Sequence, residues 1–162
     1  MLQSYGYGPT SSSSVPNTYL VAFAITTAAS GVFLEFYGSA SRTVKIIEIY
    51  VFKPSSSTTI AFQKRSTAST GGTSTTITPM PLNASNAAAT AAVKEYSSAV
   101  PTPGTLVNTI FTGTVTPGDI LGFTFGDIGD QPITLNSATQ GVTLTASAGS
   151  ITVNGYVKFT EE

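Results

Sequence analysis

The segment TVKIIEIYVFK, Thr43 to Lys53, decides the fold. Branched and aromatic side chains pack well on a pleated surface, so this is the strongest strand signal in the chain. Successive strand residues point to opposite faces. Strict alternation puts Lys45, Ile47, Ile49 and Val51 on one face, and Val44, Ile46, Glu48, Tyr50 and Phe52 on the other. Pro54 and Ser55 to Ser57 end the run.

The same grammar extends in both directions. Tyr19 to Thr27 is apolar on both faces and is expected to be a central, buried strand. Val32 to Tyr37 follows Ser30-Gly31. Downstream, Thr59 to Arg65 alternates Ile60, Phe62 and Lys64 against Ala61, Gln63 and Arg65. Ser66 to Thr75 reads as a loop around Gly71-Gly72, and Thr76 to Met80 as a short edge strand, because Pro79 and Pro81 cannot donate to a ladder. Asn83 to Tyr96 is ambiguous, since Ala87 to Ala92 has helical propensity. The alternation of Ala91, Val93 and Glu95 against Ala92, Lys94 and Tyr96 favours a turn at Ser85 to Ala88 and then a strand from Thr90 to Tyr96. Thr105 to Val115, Ile120 to Gly126, Gln140 to Ala146 and Ile151 to Thr160 complete the strands, with a further short one at Pro132 to Leu135.

Nine or ten short strands with Gly, Pro, Asp and Ser turns between them predict an all-β fold: an antiparallel β-sandwich, jelly-roll-like. The expected core is Phe23, Phe33, Ile47, Ile49, Phe62, Val93, Ile110, Leu121, Phe123, Phe125, Leu144 and Val153. Residues 1–17 keep no period and carry Gly6, Gly8, Pro9 and Pro16. They read as an extended N-terminal arm ahead of a single domain spanning 18–162. In that arm Leu2, Tyr5, Tyr7 and Val15 are the candidate partner-binding residues, because tyrosine offers large contact area at low rotamer cost.

Composition narrows the function. The 162 residues contain no Cys, His or Trp, which removes the thiolate, the commonest general base and the commonest metal ligands. Charged residues are 9%, against about 25% in an average soluble domain. Seven basic and eight acidic residues are too balanced for a nucleic-acid stripe. The longest apolar stretch, Tyr19 to Ala29, is about half of the roughly 20 residues a membrane helix needs. No Lys or Arg precedes Arg42, so a secretory signal is not expected. Instead, 20 Ser and 27 Thr supply a polar, uncharged surface, suited to burial against a neighbour because few charges must lose water.

Catalytic constellations are sparse. A Ser/Lys nucleophile pair is conceivable, for example Ser66 near Lys64, and with this many serines chance adjacency explains it. Glu35 and Glu48 sit within strand patterns that a sheet can bring together, although a cross-strand salt bridge with Lys45 or Lys53 is the simpler reading. Asp127 to Asp130 reads as a turn rather than a calcium loop. Lys64-Arg65 reads as a solvated strand end, and Asn83-Ala-Ser85 as a chance glycosylation match. No catalytic, cofactor or metal residue is expected.

One resemblance bears on role. Lys64-Arg65-Ser-Thr-Ala-Ser-Thr70-Gly-Gly-Thr-Ser-Thr75, the run from Asn83 through Ala87-Ala-Ala-Thr90 to Tyr96, Pro103-Gly104-Thr105, Asp119-Ile-Leu-Gly-Phe-Thr-Phe-Gly126 and Gln140-Gly-Val-Thr-Leu144 resemble segments of small tailed-bacteriophage structural proteins. The likeness spans roughly residues 42–162, and it departs in the last strand, where Lys158-Phe159 stands in place of a Trp. It implies a non-enzymatic virion protein, a capsid decoration or cement protein on the outer surface of the head. Its partners would be the major capsid protein and copies of itself, as a homotrimer. The alternative is a tail-fibre or baseplate module that binds host glycans, with Tyr5, Tyr7 and Tyr96 as the platform.

Overall fold

The computed structural model describes residues 16–52, 54–126 and 131–162, and over these it is all-β. The strands are β1 (Asn17–Thr26), β2 (Gly31–Tyr37), β3 (Val44–Phe52), β4 (Thr58–Arg65), β5 (Thr73–Ile77), β6 (Met80–Pro81), β7 (Ala92–Ala99), β8 (Leu106–Val115), β9 (Ile120–Thr124), β10 (Ile133–Leu135), β11 (Gly141–Ala146) and β12 (Thr152–Glu161). They form two antiparallel six-stranded sheets. Sheet A runs β10-β3-β12-β1-β6, with β9 on the same edge of β3 as β10; sheet B runs β5-β7-β2-β11-β4-β8. The chain alternates between sheets at both ends: β1, β3 and β12 lie in A, and β2, β4 and β11 in B.

The inner faces meet in one core. Phe36 of sheet B sits edge-on to Phe159 of sheet A at 4.7 Å, and Phe159 stacks on Tyr19 at 5.2 Å. Toward one flank Phe62, Phe111 and Phe123 form a second aromatic group, at 4.8 to 6.0 Å.

Strict alternation fails in β3. Lys158 of β12 pairs with Glu48, but the next residue, Phe159, pairs with Ile46, so Ile47 is an extra, bulged residue. A bulge shifts the face of everything beyond it. Val44 and Ile46 point inward before it, and Ile49 and Val51 after it, while Glu48, Tyr50 and Phe52 turn outward. Ile47 is therefore half-buried rather than core.

Three other expectations change. β1 buries only Tyr19, Val21, Phe23 and Ile25; its other face carries exposed Ala22, Ala24 and Thr26. The expected strand at Thr76 to Met80 is two pieces, β5 and β6, on edges of different sheets, with Pro79 between them. Ile110, Leu121, Phe123 and Phe125 pack against the core only partly buried, because they line a sheet edge. Phe23, Phe33, Ile49, Phe62, Val93, Leu144 and Val153 are buried as expected.

Candidate binding surfaces

β8 is one edge of sheet B and β9 lies along an edge of sheet A; among the described residues each is paired on one side only. The two edges are joined by the turn at 116–119 and bound the same flank. Leu106 and Val107, exposed, start β8 and Ile120, exposed, starts β9 beside the turn, while Phe111, Phe123 and Phe125 pack partly buried behind the flank. No charged residue occurs from Tyr96 to Gly118, or from Ile120 to Gly126. Lysines and prolines are the usual guards of an exposed edge, and β8 has neither. Register shifts beside Ile110 and Val107 are its one blunting device. The flank thus offers unpaired backbone groups, aliphatic side chains and hydroxyls to a neighbour.

The turn closing this flank is held by Asp119, whose carboxylate accepts from the Thr116 backbone N–H (2.8 Å) and hydroxyl (2.7 Å). These donors hold Asp119 below its ordinary carboxylate pKa, the hydroxyl contributing most. A depressed folded pKa means that the turn's contribution is present above the ordinary aspartate range and is lost as pH falls through the folded value. The Thr116 amide resonance is therefore expected to titrate below that range. The fully exposed site makes the effect local, leaving the global unfolding midpoint unchanged.

The outer face of sheet A is the second surface. The bulge at Ile47 turns Tyr50 and Phe52 onto it, and β12 adds Tyr156. Tyr50 and Tyr156 are cross-strand partners whose rings lie 5.0 Å apart at 18°, with Phe52 within 6.1 Å of both. Beside them Glu48 accepts from Tyr156 hydroxyl (3.1 Å) and Lys158 Nζ (2.9 Å). Burial, then the Glu48 carboxylate, pushes the Tyr156 phenol up to about 12, so it stays a donor. The charges of this patch are satisfied within it.

The remaining polar groups act as structural pins. Glu35 is fully buried on the outer face of sheet B, where it accepts from the Ser69 N–H (3.2 Å), the Ser69 hydroxyl (2.9 Å) and the Tyr96 hydroxyl (3.2 Å). Arg65 is buried too, and donates to Gly104 O, Thr143 Oγ1 and Gln63 Oε1. Together they clamp residues 66–72 against residues 100–105, which also pair at Thr70 and Thr102. Gly72, at φ +73°, fits there because a Cβ would meet the backbone of Pro101. At the other end Glu161 accepts from the backbone N–H groups of Thr90 and Ala91, which fixes the segment entering β7.

These contacts correct several sequence expectations. Arg65 is no solvated strand end, and Lys64 bridges the sheets by donating to Thr134 O. Tyr96 is buried and cannot serve as a platform. Glu35 and Glu48 lie on outer faces of different sheets, so they form no cleft. Glu48 pairs with Lys158, while Lys45 pairs with Glu162. Leu2, Tyr5, Tyr7 and Val15 lie outside the described residues, as do the Lys53 side chain and the turn at 127–130. Among the described residues no three acidic side chains converge. The sequence reading put Glu48, Tyr50 and Phe52 on the face opposite Ile47 and Ile49 but did not bring Tyr50 to Tyr156, because only the sheet order and register make these two residues neighbours. No family model matches the chain, and no curated protein or solved structure matches it significantly.

Proposed function

We propose that this chain is a non-enzymatic virion structural protein, a decoration protein that binds and stabilises an assembled phage head. The observation that carries the reading is the flank of β8 and β9, whose strands carry no charge. Apart from Asp119 in the turn, it can be buried against a protein neighbour without stranding a charge, and its unpaired edges offer backbone hydrogen bonds. Two further features agree. We read the order β1-β12-β3-β9 in one sheet and β2-β11-β4-β8 in the other as jelly-roll-like, an architecture common in viral shells. The resemblance of residues 42–162 points the same way. Fold alone does not assign function, so the flank carries more weight.

In this reading the partner is the major capsid protein, and the decoration unit is a homotrimer. Three tethered sites gain avidity of about 10²–10⁴ over one. Binding the assembled lattice and not free subunits then stabilises the shell by mass action.

The test is occupancy on purified heads. Val107→Lys with Thr112→Lys places two charges along β8 at exposed positions. Bound copies per head are expected to fall at least about tenfold at fixed concentration, the equivalent of ~1.4 kcal/mol, with the thermal midpoint unchanged. Equal occupancy would remove the flank from the interface. A few copies per particle, on the tail, would favour the fibre or baseplate alternative.

A further inference from the structure

The outer face of sheet A carries an arrangement that head binding through the β8–β9 flank does not use. The Tyr50 ring lies over Gly122 of β9, where any Cβ would collide with it. That seals one side of the Tyr50–Tyr156 stack. On the other side the register partner of Tyr156 is Ala22 of β1, which is exposed and ends at Cβ. Ala24, equally small and exposed, is the partner of Asn154, and Leu20 is the partner of Lys158. Nothing on β1 opposite Tyr156 rises to cover its ring. The result is a shelf beside one aromatic ring, floored by two alanines, with an amide at one end and the Lys158–Glu48 pair at the other.

We propose that this shelf binds a neutral pyranose, the terminal or internal sugar of a glycan. Three features select that class. An aromatic ring beside an uncovered floor suits the apolar C–H face of a sugar, as small-ligand sites combine apolar area with a few placed polar groups. Asn154 offers both donors and an acceptor, Lys158 offers donors and Glu48 an acceptor, which matches hydroxyls that both donate and accept. Lys158 and Glu48 neutralise each other at 2.9 Å, so a charged ligand gains no net attraction. An apolar protein face would cover the same ring but leave this polar rim unpaired, which costs free energy.

The experiment is saturation-transfer NMR on the full chain with three probes: methyl β-glucoside, methyl β-galactoside and N-acetylglucosamine. At least one is expected to receive saturation on one face of its ring and to shift the amides of Ala22 and Asn154, with millimolar affinity. Tyr156→Thr removes the ring, and Ala22→Ile fills the floor without removing any core contact. Each is expected to weaken binding about tenfold or more. The Ala22→Ile chain is expected to keep its thermal midpoint and its occupancy on heads, which separates this site from the flank. Absence of transfer to all three sugars overturns the proposal. So does transfer that survives both substitutions, or an Ala22→Ile effect on self-association alone, which would mark the face as a contact between copies.

Discussion

Phe159→Ala is expected to lower the free energy of unfolding by about 3–5 kcal/mol, the range for truncating a buried aromatic. The ring is fully buried at the point where the sheets meet. It stacks on Tyr19 of the neighbouring strand and abuts Phe36 of the opposite sheet. Its removal therefore opens a cavity bounded by two rings that cannot both move in. Tyr19 is tied by its hydroxyl to Ala87 O (3.0 Å), and Phe36 by the β2 ladders to β7 and β11. Urea unfolding followed by tyrosine fluorescence gives the number. A cost near 1 kcal/mol, with an unchanged denaturant slope, would mean that the sheets close over the gap and that the core is not set by this contact. Phe159→Leu keeps most of the volume and is expected to cost less than half as much.

Phe159 also shows what the sequence made legible and what it did not. β12 alternates without interruption, and period two places Val157 and Phe159 on the inward face with Val153, although of the three only Val153 is in the expected core. β3 carries an equally strong signal but takes one residue more than its partner, and a bulge leaves no mark in composition. What the bulge hid was the inward turn of Val44 and Ile46, which strict alternation groups with Glu48, Tyr50 and Phe52, while the strand itself was plain. Edge and centre were also hard to separate. In β1 the outward alanines make both faces look apolar, yet alanine is small enough to tolerate exposure, and here it leaves the shelf open. The polar pins were illegible for a different reason. Glu35 and Ser69 are 34 residues apart, and Arg65 meets Gly104 across 39; only the sheet topology makes them neighbours. Glu35 read as half of a cross-strand salt bridge because a charge in a strand is most simply met by one on its neighbour.

The low charge of the chain gives those few buried ions more weight. With seven cations and eight anions in all, two of the anions, Glu35 and Glu161, are spent inside the fold holding irregular segments in place. Glu48, Lys158, Lys45 and Glu162 neutralise each other on sheet A. The surface left over is governed by hydroxyls and apolar side chains, and that is why contact chemistry rather than electrostatic steering fits this protein.

Glu35→Ala follows from the same logic and is expected to cost about 1–3 kcal/mol, the scale for leaving buried donors without their acceptor. The substitution strips an acceptor from the Ser69 N–H and hydroxyl and from the buried Tyr96 hydroxyl. It also leaves Arg65 unbalanced. Burial pulls that guanidinium below its ordinary pKa, and the Glu35 charge pushes it back. Glu35→Gln keeps an acceptor and loses the charge, so its cost is expected to fall between alanine and wild type. The damage is expected to appear first where residues 66–72 cross residues 100–105, since few apolar contacts back up the clamp. Amide exchange at Thr70 and Thr102, which pair across that crossing, should accelerate by more than exchange in β12. A double-mutant cycle of Glu35→Ala with Arg65→Ala isolates the charge: coupling above about 0.5 kcal/mol is expected, because the Glu35 charge acts on Arg65 and both clamp the same crossing. Were Glu35→Ala no more costly than the exposed Glu162→Ala, the crossing would be held by its backbone pairing alone, and the buried carboxylate would have no structural role.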